Sequence, residues 1–203
     1  KEKTIKSMSK KLQLKPEEHI KLAKYCKRNG KRYACTAFDT ESLKFLLKKI
    51  NLPFIKIPSG EITNGPYLLD HAKHKKKMIV STGMSTSDEI ETALGVLAFG
   101  LLKKSNPDKR SFQNTYASDE GKNILRKYVT LLHCTSNYPA ELEEINLNAM
   151  LELKNRFNLQ IGYSDHSRGI LVSSLAAAMG AKYIEKHFTL NQQLPGPDHL
   201  ASL

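Results

Sequence analysis

Six short apolar runs, each followed by residues with helical periodicity, constrain this chain more than any other feature. The runs are residues 33–38, 54–57, 78–81, 129–134, 159–163 and 183–188. They are apolar at nearly every position instead of alternating, which is the pattern of strands covered on both faces. Between them, residues 39–49 place Leu43, Leu46 and Leu47 on one helical face. Residues 87–102 carry Ile90, Ala93, Leu94, Leu97 and Leu101 on one stripe, the spacing of a packed amphipathic helix. Ser85 stands three residues before Asp88, a capping-box-like start. Residues 169–179 are small and apolar and stop at Gly180, a residue suited to a left-handed cap. Most strand starts lie 21 to 30 residues apart, but one interval is 51. Its excess falls in residues 103–127, rich in Ser, Asn, Asp and Lys, and reads as a surface insertion in a single domain. Alternating strands and helices predict a parallel sheet, as part of a barrel or as an open doubly wound sheet. No Gly-rich phosphate loop follows any run, which argues against the dinucleotide-binding version.

The 203 residues, 40% hydrophobic, are enough for one substantial core. The longest apolar runs are far short of a membrane span, and residues 1–32 carry no apolar leader. Cys26, Cys35 and Cys134 match no zinc or CxxC spacing, so they read as free thiols in a reducing, cytoplasmic setting. The net charge of +12 is concentrated in residues 1–32, where twelve Lys/Arg face three Glu. Only Tyr25 interrupts those cations, too little aromatic surface for base stacking. The segment reads as solvated helix surface or as a rim that attracts an anion. Neither nucleic acid nor a membrane is expected as a partner.

Polar residues recur where each run ends. They are Thr36, then Lys56, Ser59 and Glu61, then Ser81, then Ser136, then Ser164, Asp165 and His166, and last Glu185 and His187. In parallel β/α folds these carboxyl ends share one face, and that face holds the site. One hydroxyl after a strand is more often a helix cap; six polar ends in register are not explained by capping. Lysine with hydroxyls suits a phosphorylated carboxylate. Two imidazoles from adjacent strand ends, His166 and His187, suit a divalent ion, whereas His133 reads as a hydrogen-bonded structural imidazole. Asp165, Glu185 and Glu61 are candidates for proton transfer or for holding substrate hydroxyls.

Six strings along the chain carry a family resemblance. They are Lys56-Ile57-Pro58-Ser59-Gly60-Glu61-Ile62-Thr63-Asn64, Ser81-Thr82-Gly83-Met84, His133-Cys134-Thr135-Ser136-Asn137-Tyr138-Pro139, Gly162-Tyr163-Ser164-Asp165-His166, Glu185-Lys186-His187-Phe188-Thr189 and Pro195-Gly196-Pro197-Asp198-His199. In that order they resemble the sialic acid synthase family, from about Glu17 to the end. The resemblance implies a parallel (β/α)8 TIM barrel, here incomplete and covering about strands three to eight. It implies condensation of phosphoenolpyruvate with N-acetylmannosamine or a related 2-acetamido sugar to a nonulosonic acid, with release of phosphate. A legionaminic or pseudaminic acid synthase of the same family is the alternative. The resemblance assigns Thr36, Lys56, Ser59, Ser81, Ser136 and Ser164 to phosphoenolpyruvate. It assigns Glu185 to the sugar, and His166 and His187 to Mn2+ or Mg2+. At Ser136 some members carry Asn. The family's first two strands, with a Glu and a Lys on the catalytic face, have no counterpart here. Nor does its antifreeze-like domain, which lends an Arg to the partner's site in a homodimer. The expectation is therefore a fragment that is weakly active or inactive alone.

Overall fold

Five of the six expected strands form, and all five lie in one parallel sheet in sequence order. They are β1 (Ile55–Ile57), β2 (Met78–Ser81), β3 (Val129–Cys134), β4 (Gln160–Asp165) and β5 (Ile184–Lys186). The structure is a computed structural model that describes residue 10 and residues 12–203. Part of the basic N-terminal segment thus lies outside the described residues. The chain divides into two units, Lys1–Pro53 and Phe54–Leu203.

In the first unit, helix α1 (Pro16–Arg28) begins with proline in its first turn, where the missing N–H costs nothing. Helix α2 (Thr40–Phe45) is capped by Asp39, whose carboxylate accepts Ser42 N–H at 2.7 Å. It continues through one π-helical turn, Leu46–Ile50, and ends where Asn51 turns left-handed at φ 56°. Leu43 and Leu46 of the expected stripe are buried. The run at residues 33–38 is not a strand, which corrects the sequence expectation. No β-ladder among the described residues includes it, and Phe38 is 64% exposed. Its composition is that of a buried strand, but a strand exists only where a neighbour takes its backbone groups.

The second unit holds the whole sheet. The central strands β2, β3 and β4 are buried along nearly their full length, as expected for parallel strands with helices outside and a packed barrel interior. The edge strand β5 is largely exposed. Helices α3 (Gly65–Ala72), α4 (Ser87–Leu101), α5 (Lys109–Ala117), α6 (Asp119–Tyr128), α7 (Leu147–Phe157) and α8 (Leu171–Ala178) connect the strands. Strict β–α alternation with neighbours paired in chain order is the wiring of an incomplete (β/α)8 barrel. The capping box of α4 sits one residue later than expected. Thr86 is the cap, and Glu89, a methylene longer than Asp88, reaches back to Thr86 N–H at 2.8 Å. The insertion at residues 103–127 is mostly helical. Its helices α5 and α6 pack on α4, with Phe99 and Phe112 edge to face at 5.1 Å. That cover buries α4 almost all round from Ala93 to Leu101. No helix among the described residues is long and apolar enough to cross a membrane.

Gly162 lets the sheet close up between β3 and β5. A Cβ there would stand 2.6 Å from Leu132 Cδ2 and 3.0 Å from Tyr183 Cβ, inside contact distance. Gly162→Ala should therefore lower the unfolding free energy by about 1–3 kcal/mol, the usual cost of overpacking. A urea unfolding curve would show it, and an unchanged midpoint would mean the neighbours yield freely.

Candidate active site

Alternation and register decide which side chains meet. Neighbouring positions across the ladders are Lys56↔Ile79, Ser81↔Leu132, Cys134↔Ser164 and Ser164↔Glu185. With a side-chain period of two, Lys56, Ser81, Cys134, Ser164 and Glu185 all point to one face. His133, Asp165 and Lys186 point to the other.

On the first face the polar groups form a continuous chain. Lys56 Nζ donates to Ser81 Oγ at 2.8 Å and lies 3.3 Å from Glu185 Oε1. The same Glu185 oxygen accepts the Ser164 hydroxyl at 2.6 Å. Lys56 is only 12% exposed at its side chain and Glu185 is 46% exposed. A mostly buried ammonium thus faces a carboxylate that opens to solvent, where an incoming anion can compete for the cation.

The two histidines stand just beyond. His166 Nδ1 is 2.5 Å from Thr135 O, and a carbonyl can only accept, so Nδ1 carries the proton. Nε2 lies 3.3 Å from Ser164 Oγ, whose single proton is given to Glu185. The Nε2 lone pair is therefore unclaimed. Burial pushes His166 below the ordinary imidazole value, against the Thr135 carbonyl, which favours the proton, and with neighbouring His187 lowering it further. His166 is accordingly neutral near pH 7. The His187 ring centroid is 5.7 Å from that of His166, and His187 Nδ1 is 3.8 Å from Asp198 Oδ2. Tyr138 stacks on His166 at 3.9 Å and meets His187 edge-on at 5.5 Å. An acceptor nitrogen fixed by a carbonyl on the opposite ring nitrogen is the arrangement of a histidine metal ligand. No group of three or more His, Cys, Asp or Glu that could hold a metal occurs among the described residues. The two imidazoles alone could supply protein ligands here, so an ion held by them would have to take its remaining ligands from water or substrate.

Gly83 joins the remaining hydroxyls. It sits at φ +52°, and a Cβ there would be 2.6 Å from Ser59 Cβ, 2.9 Å from Ser59 Oγ and 3.5 Å from Ser136 Oγ. The turn after β2 thus brings Ser59 and Ser136 together over the backbone. Burial pushes the Cys134 thiol up, partly offset by the Gly83 N–H and by Lys56. It is 4% exposed, a packed thiol and not a nucleophile.

The other candidates have surroundings of their own. Glu61 is tied to Asn64 Nδ2 at 2.8 Å. Thr36 belongs to the first unit, in the irregular stretch before α2. His133 faces the helix layer, where its ring lies 5.6 Å from that of Tyr163. Asp165 is fully buried on the reverse face, both carboxylate oxygens engaged. It is a structural anion there, not a group facing substrate. Gly83, Tyr138 and Asp198 join the site although the residue reading gave them no role. They fall inside strings quoted for the resemblance, but apolar pattern and charge could not single them out.

A family model described as NeuB family matches residues 1–203. The N,N'-diacetyllegionaminic acid synthase of Campylobacter jejuni is 46% identical over 196 residues, 97% of this chain and 52% of that protein. The human N-acetylneuraminate-9-phosphate synthase is 32% identical over 193 residues, 95% of this chain and 46% of that one. The chain spans about half the length of the curated relatives it matches. Among solved structures, the N-acetylneuraminic acid synthetase of Leptospira borgpetersenii, in complex with citrate, superposes with a TM-score of 0.75 at 32% identity. That match covers 94% of this chain and 58% of that one.

Asp165 generates a pH prediction. Burial raises its carboxyl, but the Ser167 and Ser173 hydroxyls, the Ser167 N–H and Lys186 outweigh burial and hold it below the ordinary value. A depressed folded pKa adds stability above the unfolded value of about 3.9 and loses it as pH falls through the folded one. The stability gap between the protein and Asp165→Asn should be widest near pH 7 and shrink below about pH 4. Urea unfolding across that range checks it, and a gap independent of pH would contradict the assignment.

Proposed function

Because this chain belongs to the NeuB family, we propose that it carries the strand-end face of a nonulosonic acid synthase. The reaction is condensation of phosphoenolpyruvate with an N-acetylated amino sugar, with loss of phosphate. The observation that carries this reading is the Ser81–Lys56–Glu185–Ser164 chain beside the imidazole pair.

Lys56 and the hydroxyls of Ser81, Ser164, Ser59 and Ser136 bind the carboxylate and phosphate oxygens of phosphoenolpyruvate. A bound anion displaces Glu185 from Lys56, and the released carboxylate turns to the sugar hydroxyls. Preset donors of this kind stabilise charge as it shifts without reorganising. The phosphoenolpyruvate methylene attacks the open-chain aldehyde, water adds at the carbon bearing phosphate, and C–O cleavage releases phosphate. His166 and His187 would hold Mn2+ or Mg2+, which when bound polarises the aldehyde. Tyr138 holds the His166 ring flat and keeps solvent off one side of it. The 46% identity to a diacetyllegionaminic acid synthase, against 32% to a neuraminate-9-phosphate synthase, supports a diacetamido sugar over N-acetylmannosamine.

Titration calorimetry of this chain with phosphoenolpyruvate tests the cradle. Lys56→Met should weaken binding at least about tenfold, the value of one charge-assisted hydrogen bond. A folded Lys56→Met variant with unchanged affinity would sink the reading. For the metal, His166→Ala and His187→Ala should each lower Mn2+ affinity about tenfold or more; equal affinity in both removes the metal from the proposal. Turnover by a full-length synthase containing this sequence, on the two sugars in parallel, decides the substrate.

A further inference from the structure

The best-buried ion pair among the described residues takes no part in the proposed chemistry. Lys186 Nζ lies 3.3 Å from Asp165 Oδ2, with side chains 9% and 0% exposed. The two residues are ladder partners, and they are the last pair of the β4–β5 ladder. Each immediately precedes a site histidine, Asp165 before His166 and Lys186 before His187. By alternation both point away from the site, so the pair lies directly behind the two imidazoles.

Its contacts reach around His166 from both sides. Asp165 Oδ1 accepts Ser167 N–H at 2.8 Å and Ser167 Oγ at 2.6 Å, and Oδ2 accepts Ser173 Oγ at 2.5 Å. Lys186 Nζ donates to Ser167 O. His166 is thus bracketed by residues that Asp165 and Lys186 hold, while its own carbonyl accepts Ala140 N–H at 2.9 Å. Past Asp165 and Lys186 no further ladder pair fixes one chain against the other. A parallel ladder sets register but not how the chains leave it. The ion pair is the last tie across the two strands before the histidines diverge into loops.

Stability is a weak reason for such a pair, since desolvation of two charges cancels most of their attraction and an apolar pair of the same size does as well. Geometry is the better reason. We propose that Asp165 and Lys186 are positioning residues that set the ring orientation and spacing of His166 and His187. The metal consequence of this rests on the reading given under Proposed function; the arrangement of the rings does not.

The test separates the two. The double variant Asp165→Asn/Lys186→Met removes both buried charges together, avoiding the uncompensated charge that either single change leaves. Ser173→Ala is a milder variant that keeps both charges and removes one hydroxyl from Asp165. Long-range proton–nitrogen correlation spectra of the chain labelled with 15N-histidine report the His166 tautomer without metal. The wild-type chain should show a fixed Nδ1–H ring. The double variant should show a mixture of tautomers while unfolding near the wild-type midpoint, and Ser173→Ala a smaller shift in the same direction. Mn2+ affinity of the double variant should fall about tenfold or more. Unchanged imidazole signals in both variants overturn the proposal, whatever the metal does. If the signals change but the wild-type chain binds no Mn2+, the positioning role stands and the metal reading falls.

Discussion

Parallel pairing in one register is what the rest of this structure depends on. The polar residues that form the site sit on different strands, up to 129 positions apart between Lys56 and Glu185, and share a face only because the ladders align them. Moving one strand by one residue would send its whole set to the helix layer. The facing positions also climb along the sheet. Lys56 is level with Ile79, two residues short of Ser81, and Leu132 is two residues short of Cys134. A stagger of this kind accompanies closure of a sheet into a barrel.

Two cross-strand ion pairs follow from that alignment, and they differ in what their surroundings allow. Lys56–Glu185 opens to solvent through Glu185, so its attraction is screened and an anionic ligand can replace the carboxylate. Asp165–Lys186 is nearly buried, with Ser167 and Ser173 hydroxyls on the carboxylate, so a ligand has little access to it. One residue of alternation places the first on the solvent-open site face and the second behind it. The exchangeable pair suits binding, and the locked pair suits holding the histidines still.

Apolar runs were legible where the strands are buried between the helix layer and the barrel interior. β2 and β3 form over the residues that composition marks, because their mostly branched and apolar side chains are buried there. The run at residues 33–38 has the same look and forms no strand, since composition registers burial but not the presence of a pairing partner. The cap of α4 was displaced by one residue, because Thr86 with Glu89 and Ser85 with Asp88 are alternatives separated only by the reach of one methylene. The insertion at residues 103–127 read as polar surface, yet one apolar residue on each of its helices is packed inward: Phe112 against Phe99, and Leu125, which is buried.

By itself the sequence determined the order of the five strands from residue 54 onward, the polar residue types near each strand end, and the two imidazoles at the last two of those ends. Those depend on local composition and on spacing along the chain. The tertiary structure alone decided that Lys56 meets Glu185, that Gly83 brings Ser59 to Ser136, and that Asp165 is buried behind the site instead of acting within it. Each of those depends on a pairing register and on the direction of a side chain. Both are set by strands distant in sequence, which no local pattern encodes.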